Sequence, residues 1–204
     1  PYPDVFSANG GASMSPSVIY WGGPDGPATA PGWASAVPGG AWTNYALPFD
    51  IDHDGDVDVI TANQGNSTES PSRPLYAFFN TGGVLATVPG WQSAEWTMAN
   101  FLAMGDLDGD GWEDLAVSKW ANYASGIYAN VDGALATVPI WTTGDTDTDK
   151  GVAWADVDGN GSIDPVGTYW FTGVEAGGYR VVVTDTNSVL GGLTNMEFLY
   201  LAES

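Results

Sequence analysis

Apolar positions along this 204-residue chain come in short runs broken by polar, glycine-rich stretches. Val57-Asp-Val-Ile-Thr-Ala62, Asp114-Leu-Ala-Val-Ser118 and Asp164-Pro-Val-Gly-Thr-Tyr169 each precede a loop of Gly, Ser and Asn. Leu75-Tyr-Ala-Phe-Phe79, Gly126-Ile-Tyr-Ala129 and Tyr179-Arg-Val-Val-Val183 come next. A turn such as Thr81-Gly-Gly83 or Val131-Asp-Gly133 then leads to a segment, expected as a strand, that ends in Pro-x-Trp. Short β-branched and aromatic runs between turn residues predict strands, and no long amphipathic helical period competes with them. The expected class is all-β. No run of eighteen apolar residues occurs, so direct membrane insertion by a helix is not expected. The chain opens at Pro1 without an initiator Met or a signal-type apolar region, from which processed ends or a fragment are expected.

The runs recur at about fifty residues. Asp50-Ile-Asp-His-Asp-Gly-Asp-Val-Asp58, Asp106-Leu-Asp-Gly-Asp-Gly-Trp-Glu-Asp114 and Asp156-Val-Asp-Gly-Asn-Gly-Ser-Ile-Asp164 align, and a second mark keeps step with them: ATAPGW, ATVPGW and ATVPIW end at Trp33, Trp91 and Trp141. Four short strands per unit is the arithmetic of a propeller blade. The ends fit the same register: Asp4-Val-Phe-Ser-Ala-Asn9 reads like Asp58 to Asn63, and Phe198-Leu-Tyr-Leu-Ala-Glu203 reads like Phe101 to Asp106. The expectation is one β-propeller domain over 1–204, of about four four-stranded blades. Its units are roughly 1–43 (completed by 196–204), 44–98, 99–148 and 149–195, and pairing of the N- and C-terminal strands closes the ring and removes free sheet edges. A half-ring that dimerises into eight blades, or part of a six- or seven-bladed ring, stays open as an alternative.

Each acidic loop offers oxygen ligands at positions 1, 3, 5 and 9 and Gly at position 6, where the backbone must turn sharply. Hard divalent cations want that many oxygens, and Ca²⁺ suits the set better than Mg²⁺, which keeps its waters. The predicted ligands are Asp50, Asp52, Asp54, Asp58 and the Asp56 carbonyl; Asp106, Asp108, Asp110, Asp114 and the Trp112 carbonyl; and Asp156, Asp158, Asn160, Asp164 and the Ser162 carbonyl. An EF-hand is excluded, because its twelfth-position Glu is Thr61, Val117 or Gly167 here and a strand follows each loop.

The charge balance supports a cation. Twenty-five acidic residues against four basic ones give a net charge of −21, which repels phosphate backbones and makes nucleic acid an unexpected partner. Thirteen of those acids lie in the three loops, so three Ca²⁺ would bring the net charge to about −15. Cysteine is absent and His53 is the sole histidine, which removes thiolate and His-rich metal sites and leaves one imidazole, at a non-ligand position where exposure is expected.

The loops and the strands after them resemble the FG-GAP, or VCBS-type, repeats of integrin α-subunit propellers and of many secreted bacterial proteins. The resemblance covers about residues 45–190, although the Phe-Gly and Gly-Ala-Pro signatures are eroded. It implies calcium between the first and second strands of a blade, on one face of the disc, with ligands met on the opposite face. Asp4, Glu203 and Ser204 stand where a fourth full loop would be, so three ions are expected.

The connections on the opposite face carry Trp96, Lys119, Trp120, Tyr123, Tyr169 and Trp170 among polar residues, with Arg73 nearby. Aromatic planes pack on sugar C–H surfaces, so these are the ligand-face candidates. Trp33, Trp91 and Trp141 recur at one blade position and are expected to pack between blades. Asp145, Asp147 and Asp149 alternate like another metal loop but lack its Gly and its ninth acid, so a solvated loop is expected. Asn66-Ser-Thr68 is a glycosylation sequon if the host is eukaryotic. No constellation of nucleophile and base is visible, and catalysis is not expected. The sequence thus predicts a secreted, cell-surface or periplasmic calcium-stabilised binding or adhesion module for a glycan or protein. The alternatives are a structural subunit of a larger assembly and a polysaccharide-active enzyme; a homodimer stays open.

Overall fold

The computed structural model describes residues 2–9, 15–37, 40–65, 72–146 and 149–155, and the backbone of two further strands at 178–183 and 196–201. All regular structure among them is β. The N-terminal sheet holds β1 (Val5–Ser7), β2 (Val18–Tyr20) and β3 (Trp33–Ala34) in sequential order. A four-stranded antiparallel sheet follows, built from β4 (Trp42–Phe49), β5 (Asp58–Gln64), β6 (Tyr76–Phe78) and β9 (Trp91–Gln92), with a small ribbon of β7 (Asn80–Thr81) and β8 (Val84–Leu85) inserted before its last strand. The next unit repeats it: β10 (Ala99–Gly105), β11 (Asp114–Lys119), β12 (Gly126–Tyr128) and β15 (Trp141–Thr142), with the ribbon β13 (Asn130–Val131) and β14 (Ala134–Leu135). These sequential meanders are blades of a propeller-like fold.

Strands β5 and β11 are buried along their whole length, because each has a partner strand on both edges and packs against a neighbouring unit. The cores accordingly lie between units. Ile51, Ile60, Leu75, Leu102, Leu115, Val117 and Tyr128 form one, between the two complete blades; Ile19, Trp33, Tyr76 and Phe78 form the other, between the N-terminal sheet and the first complete blade.

Two joints repeat across those cores. The indole of Trp33 donates to the Ala86 carbonyl at 3.2 Å and that of Trp91 to the Leu135 carbonyl at 2.8 Å. Backbone bonds accompany them, Ala36 N–H to Thr87 O and Ala94 N–H to Thr137 O, both at 2.7 Å. At the inner strands, β4 and β10 each skip one residue in their register, Asn44 and Asn100. A bulge re-aims the extra side chain, and here the freed amides reach the next unit: Asn44 donates to Ala99 O at 2.7 Å and Asn100 to Asp149 O at 2.9 Å.

The Pro-x-Trp segment differs from expectation. It does not end a strand; Trp91 and Trp141 begin β9 and β15. Pro89 and Pro139 have no N–H for a ladder, so pairing resumes only beyond them. Trp33 and Trp91 pack edge-on against Phe78 and Tyr128 of the following unit, at 5.3 and 6.1 Å between ring centres, as the repeat predicts. Trp141 is 37% exposed.

The two C-terminal runs are strands, β16 (Gly178–Val183) and β17 (Met196–Leu201), and they pair with each other over six positions. Closing the loop between such neighbours costs less chain entropy than pairing across the whole sequence. Closure of a ring through β17 and β1 is not among the described pairings.

Trp91→Phe keeps an aromatic plane beside Tyr128 but removes the donor to Leu135 O and part of the indole's packing. We expect a loss of about 1 kcal/mol, read as a lower urea midpoint at unchanged slope; an unchanged midpoint would remove this bond from the joint.

Candidate metal centre

The two described acidic loops occupy the same place, between the first and second strands of each complete blade. Both take left-handed backbone at positions 4 and 6: His53 (φ 54°) and Gly55 (φ 94°) in the first, Gly109 (φ 78°) and Gly111 (φ 91°) in the second. His53 has the side chain that this conformation disfavours. Its strain is met by contacts described below.

The loop carboxylates bind their own backbone. Asp50 accepts from Gly55 N–H at 3.1 Å, and Asp106 from Gly111 N–H at 2.9 Å. Asp54 and Asp110 each accept the N–H two residues on, both at 2.8 Å. These bonds roll alternate side chains inward, so that Asp50, Asp52 and Asp58 in one loop, and Asp106, Asp108 and Asp110 in the other, place one oxygen each within 4.8 Å of the others. Asp54 and Asp114 stand outside those tightest groups. The Asp56 side chain turns away and accepts Gly83 N–H at 3.2 Å.

Position 9 is the hinge of each loop. Asp58 accepts Ile51 N–H at 2.9 Å and Asn80 N–H at 2.7 Å; Asp114 accepts Leu107 N–H at 3.0 Å and Asn130 N–H at 2.8 Å. Both carboxylates are buried. Burial pushes each above the usual carboxylate range; the two N–H donors pull it part of the way back, and the neighbouring Asp52 and Asp54, or Asp108 and Asp110, push it up again.

The donor set fits a hard cation. It is all oxygen, it gathers several like charges, and Asp50 Oδ1 is buried without a hydrogen-bond partner, a vacancy in bonding that a cation would fill. The third predicted set, Asp156, Asp158, Asn160, Ser162 and Asp164, lies outside the described residues, as do Tyr169, Trp170, Asp147 and Asn66.

At the far end of the same strands the ligand-face residues divide. Trp96 is 53% and Trp120 38% exposed. Arg73 lies over the Trp96 ring at 5.4 Å and Lys150 over Trp120 at 5.9 Å. Tyr123 is half-buried. Lys119, in contrast, is buried, its ammonium held by Glu95, which also accepts the Tyr128 hydroxyl. Burial pulls the lysine below its ordinary range, against Glu95, and pushes the tyrosine up with Glu95 adding to it. Lys119 therefore faces inward rather than toward a ligand. The repeat alignment carried a signal for this, since Lys119 stands where β5 has the buried Asn63. Asp149, expected in a solvated loop, is also buried and accepts the Ser125 hydroxyl.

An acid whose folded pKa exceeds its unfolded value stabilises the fold as pH falls toward the unfolded value, and costs stability at neutrality. With a chelator present, the melting midpoint is expected to rise as pH is lowered from neutral toward the carboxylate range. A midpoint falling over that window would contradict the environment described for Asp58 and Asp114.

No curated protein matches the chain. Residues 50–117, which run from the first acidic loop through the second and into β11, match the model of the FG-GAP-like repeat. The loop–strand geometry and that match together identify this stretch as an FG-GAP-like repeat.

Proposed function

We propose that the protein is a non-enzymatic, extracellular, calcium-stabilised module that binds a glycan or protein on the face opposite its acidic loops. The observation that carries this reading is the separation along β11. Asp114 opens the strand beside the loop and Trp120 follows its other end, roughly 20 Å away at strand rise. There Trp120 N–H bonds to Met98 O and Arg73 N–H to Thr97 O, which ties exposed Trp96 and Trp120 to one stretch of backbone. Exposed aromatic planes of this kind suit a sugar face.

Asp50, Asp52, Asp54 and Asp58, with Asp106, Asp108, Asp110 and Asp114, would hold one Ca²⁺ per loop, and the third loop a third ion. Calcium there would supply positive charge to a cluster of like-charged carboxylates anchored on the buried Asp58 or Asp114, a structural role. An ion bound only by the folded loop stabilises the fold by mass action. The FG-GAP-like match over 50–117 supports an extracellular setting, and no described helix is long and apolar enough to cross a membrane.

A structural docking subunit is the second reading, favoured by the exposed Val84, Val88, Val138 and Ile140, each 57% exposed or more.

Asp106→Ala is expected to lower the melting midpoint in calcium yet leave it nearly unchanged in chelator; an equal loss in both conditions would overturn a structural calcium. On a broad glycan array, Trp96→Ala and Trp120→Ala should each weaken a hit about tenfold, the effect of about 1.4 kcal/mol. A blank array with folded protein would move the assignment to a protein partner.

A further inference from the structure

The two described acidic loops touch, and they do so through two separate routes. One is buried. Asn130 donates its backbone N–H to Asp114, the hinge of the second loop, and its side-chain amide to Ile51 O, at 3.0 Å, in the first. The N–H of that same Ile51 goes to Asp58, the hinge of the first loop. Asp58, Ile51, Asn130 and Asp114 thus form one continuous hydrogen-bonded chain, with Ile51 and Asn130 at most 1% exposed.

The other route is at the surface. His53, between two carboxylates of the first loop, stacks on Trp112 of the second at 4.4 Å and 16°, and its Nε2 meets Glu113 Oε2 at 2.9 Å. These contacts hold His53 in its left-handed conformation. Gly133 lets the β13–β14 turn approach as well: a Cβ there would lie 3.0 Å from Asp52 Cα.

We infer that the first and second loops take up their cations cooperatively, each occupied loop preparing the other through Asn130 and the His53–Trp112–Glu113 clasp. This rests on reading both loops as cation sites. A cation that fixes Asp58 also fixes the Ile51 peptide, which sets Asn130 and, through it, Asp114. His53 and Trp112 fix the neighbouring turns at the same time. The entropy of ordering this shared set is lost once, with the first ion, so the second binds more tightly. The clasp is particular to this joint, because the second loop has Gly109 where the first has His53 and the first has Asp56 and Val57 where the second has Trp112 and Glu113.

The test is calorimetric titration of Ca²⁺ at fixed pH, in chains carrying Asp156→Asn so that the third loop is silent. Linkage requires reciprocity: Asp106→Asn should weaken binding at the first loop, and Asp52→Asn binding at the second, by the same factor, roughly five- to 150-fold. Adding His53→Ala and Glu113→Gln, both partly exposed, should shrink that factor while circular dichroism stays unchanged. Where a loop variant fails to fold, the isotherm of the Asp156→Asn chain decides, since cooperative loading gives a second step tighter than the first. Two independent, equal steps overturn the coupling and leave the cation sites standing. No uptake at all overturns both. A factor untouched by the clasp variant removes His53 and Glu113 from the coupling.

Discussion

A buried carboxylate at the head of the second strand is the constraint on which each unit is built. Asp58 and Asp114 take one N–H from the start of their own loop and another from the first residue of the ribbon that follows the third strand. One side chain thereby sets the loop's closure, the offset of the strands and the place where the ribbon leaves the blade. Asp4 repeats the second of these bonds, accepting Gly22 N–H at 2.6 Å, so the N-terminal sheet follows the same plan. Holding such groups out of water is costly unless charge compensates it. The polar chemistry of the loops and the folding of the sheets are therefore one problem.

Packing between units follows a different logic from packing within them. The sheets are thin, and a single blade has no interior of its own. Its apolar residues are covered only by the next blade, as Ile60, Leu115 and Tyr128 illustrate. The units are consequently stable as neighbours, the usual condition of repeat architectures. The Lys119–Glu95–Tyr128 group, with Lys119 and Tyr128 buried, belongs to this layer: Glu95 comes from the connection after β9 and the other two from the following blade. A cation enclosed there has its counter-charge supplied across the joint.

Much of this was legible in the sequence. The repeated Asp loop and the ATxPxW mark pointed to the all-β class and to acidic loops between the first and second strands of the two complete blades, because each is a local pattern repeated in register. Contacts that break the repeat were not legible. His53 was expected to be merely exposed, yet it stacks on Trp112 from a loop 56 residues later in the same register. Lys119 was expected to face a ligand because the connection 119–125 reads as starting there; β11 instead runs through Lys119, and its burial is matched by Glu95, a partner no periodicity predicts. The bulges at Asn44 and Asn100 were also hidden, since an extra residue in a strand leaves no compositional trace.

Those two asparagines have a consequence for how such a chain can grow. Each joins its unit to the next by giving an amide to a main-chain carbonyl, at Ala99 and at Asp149. A carbonyl is present whatever the residue, so the receiving unit is free to change its side chains there without losing the bond. The obligation runs one way along the chain, from donor to acceptor. As far as this bond goes, a unit copied into the middle of such an array brings its own donor for the next unit and offers a main-chain carbonyl to the one before.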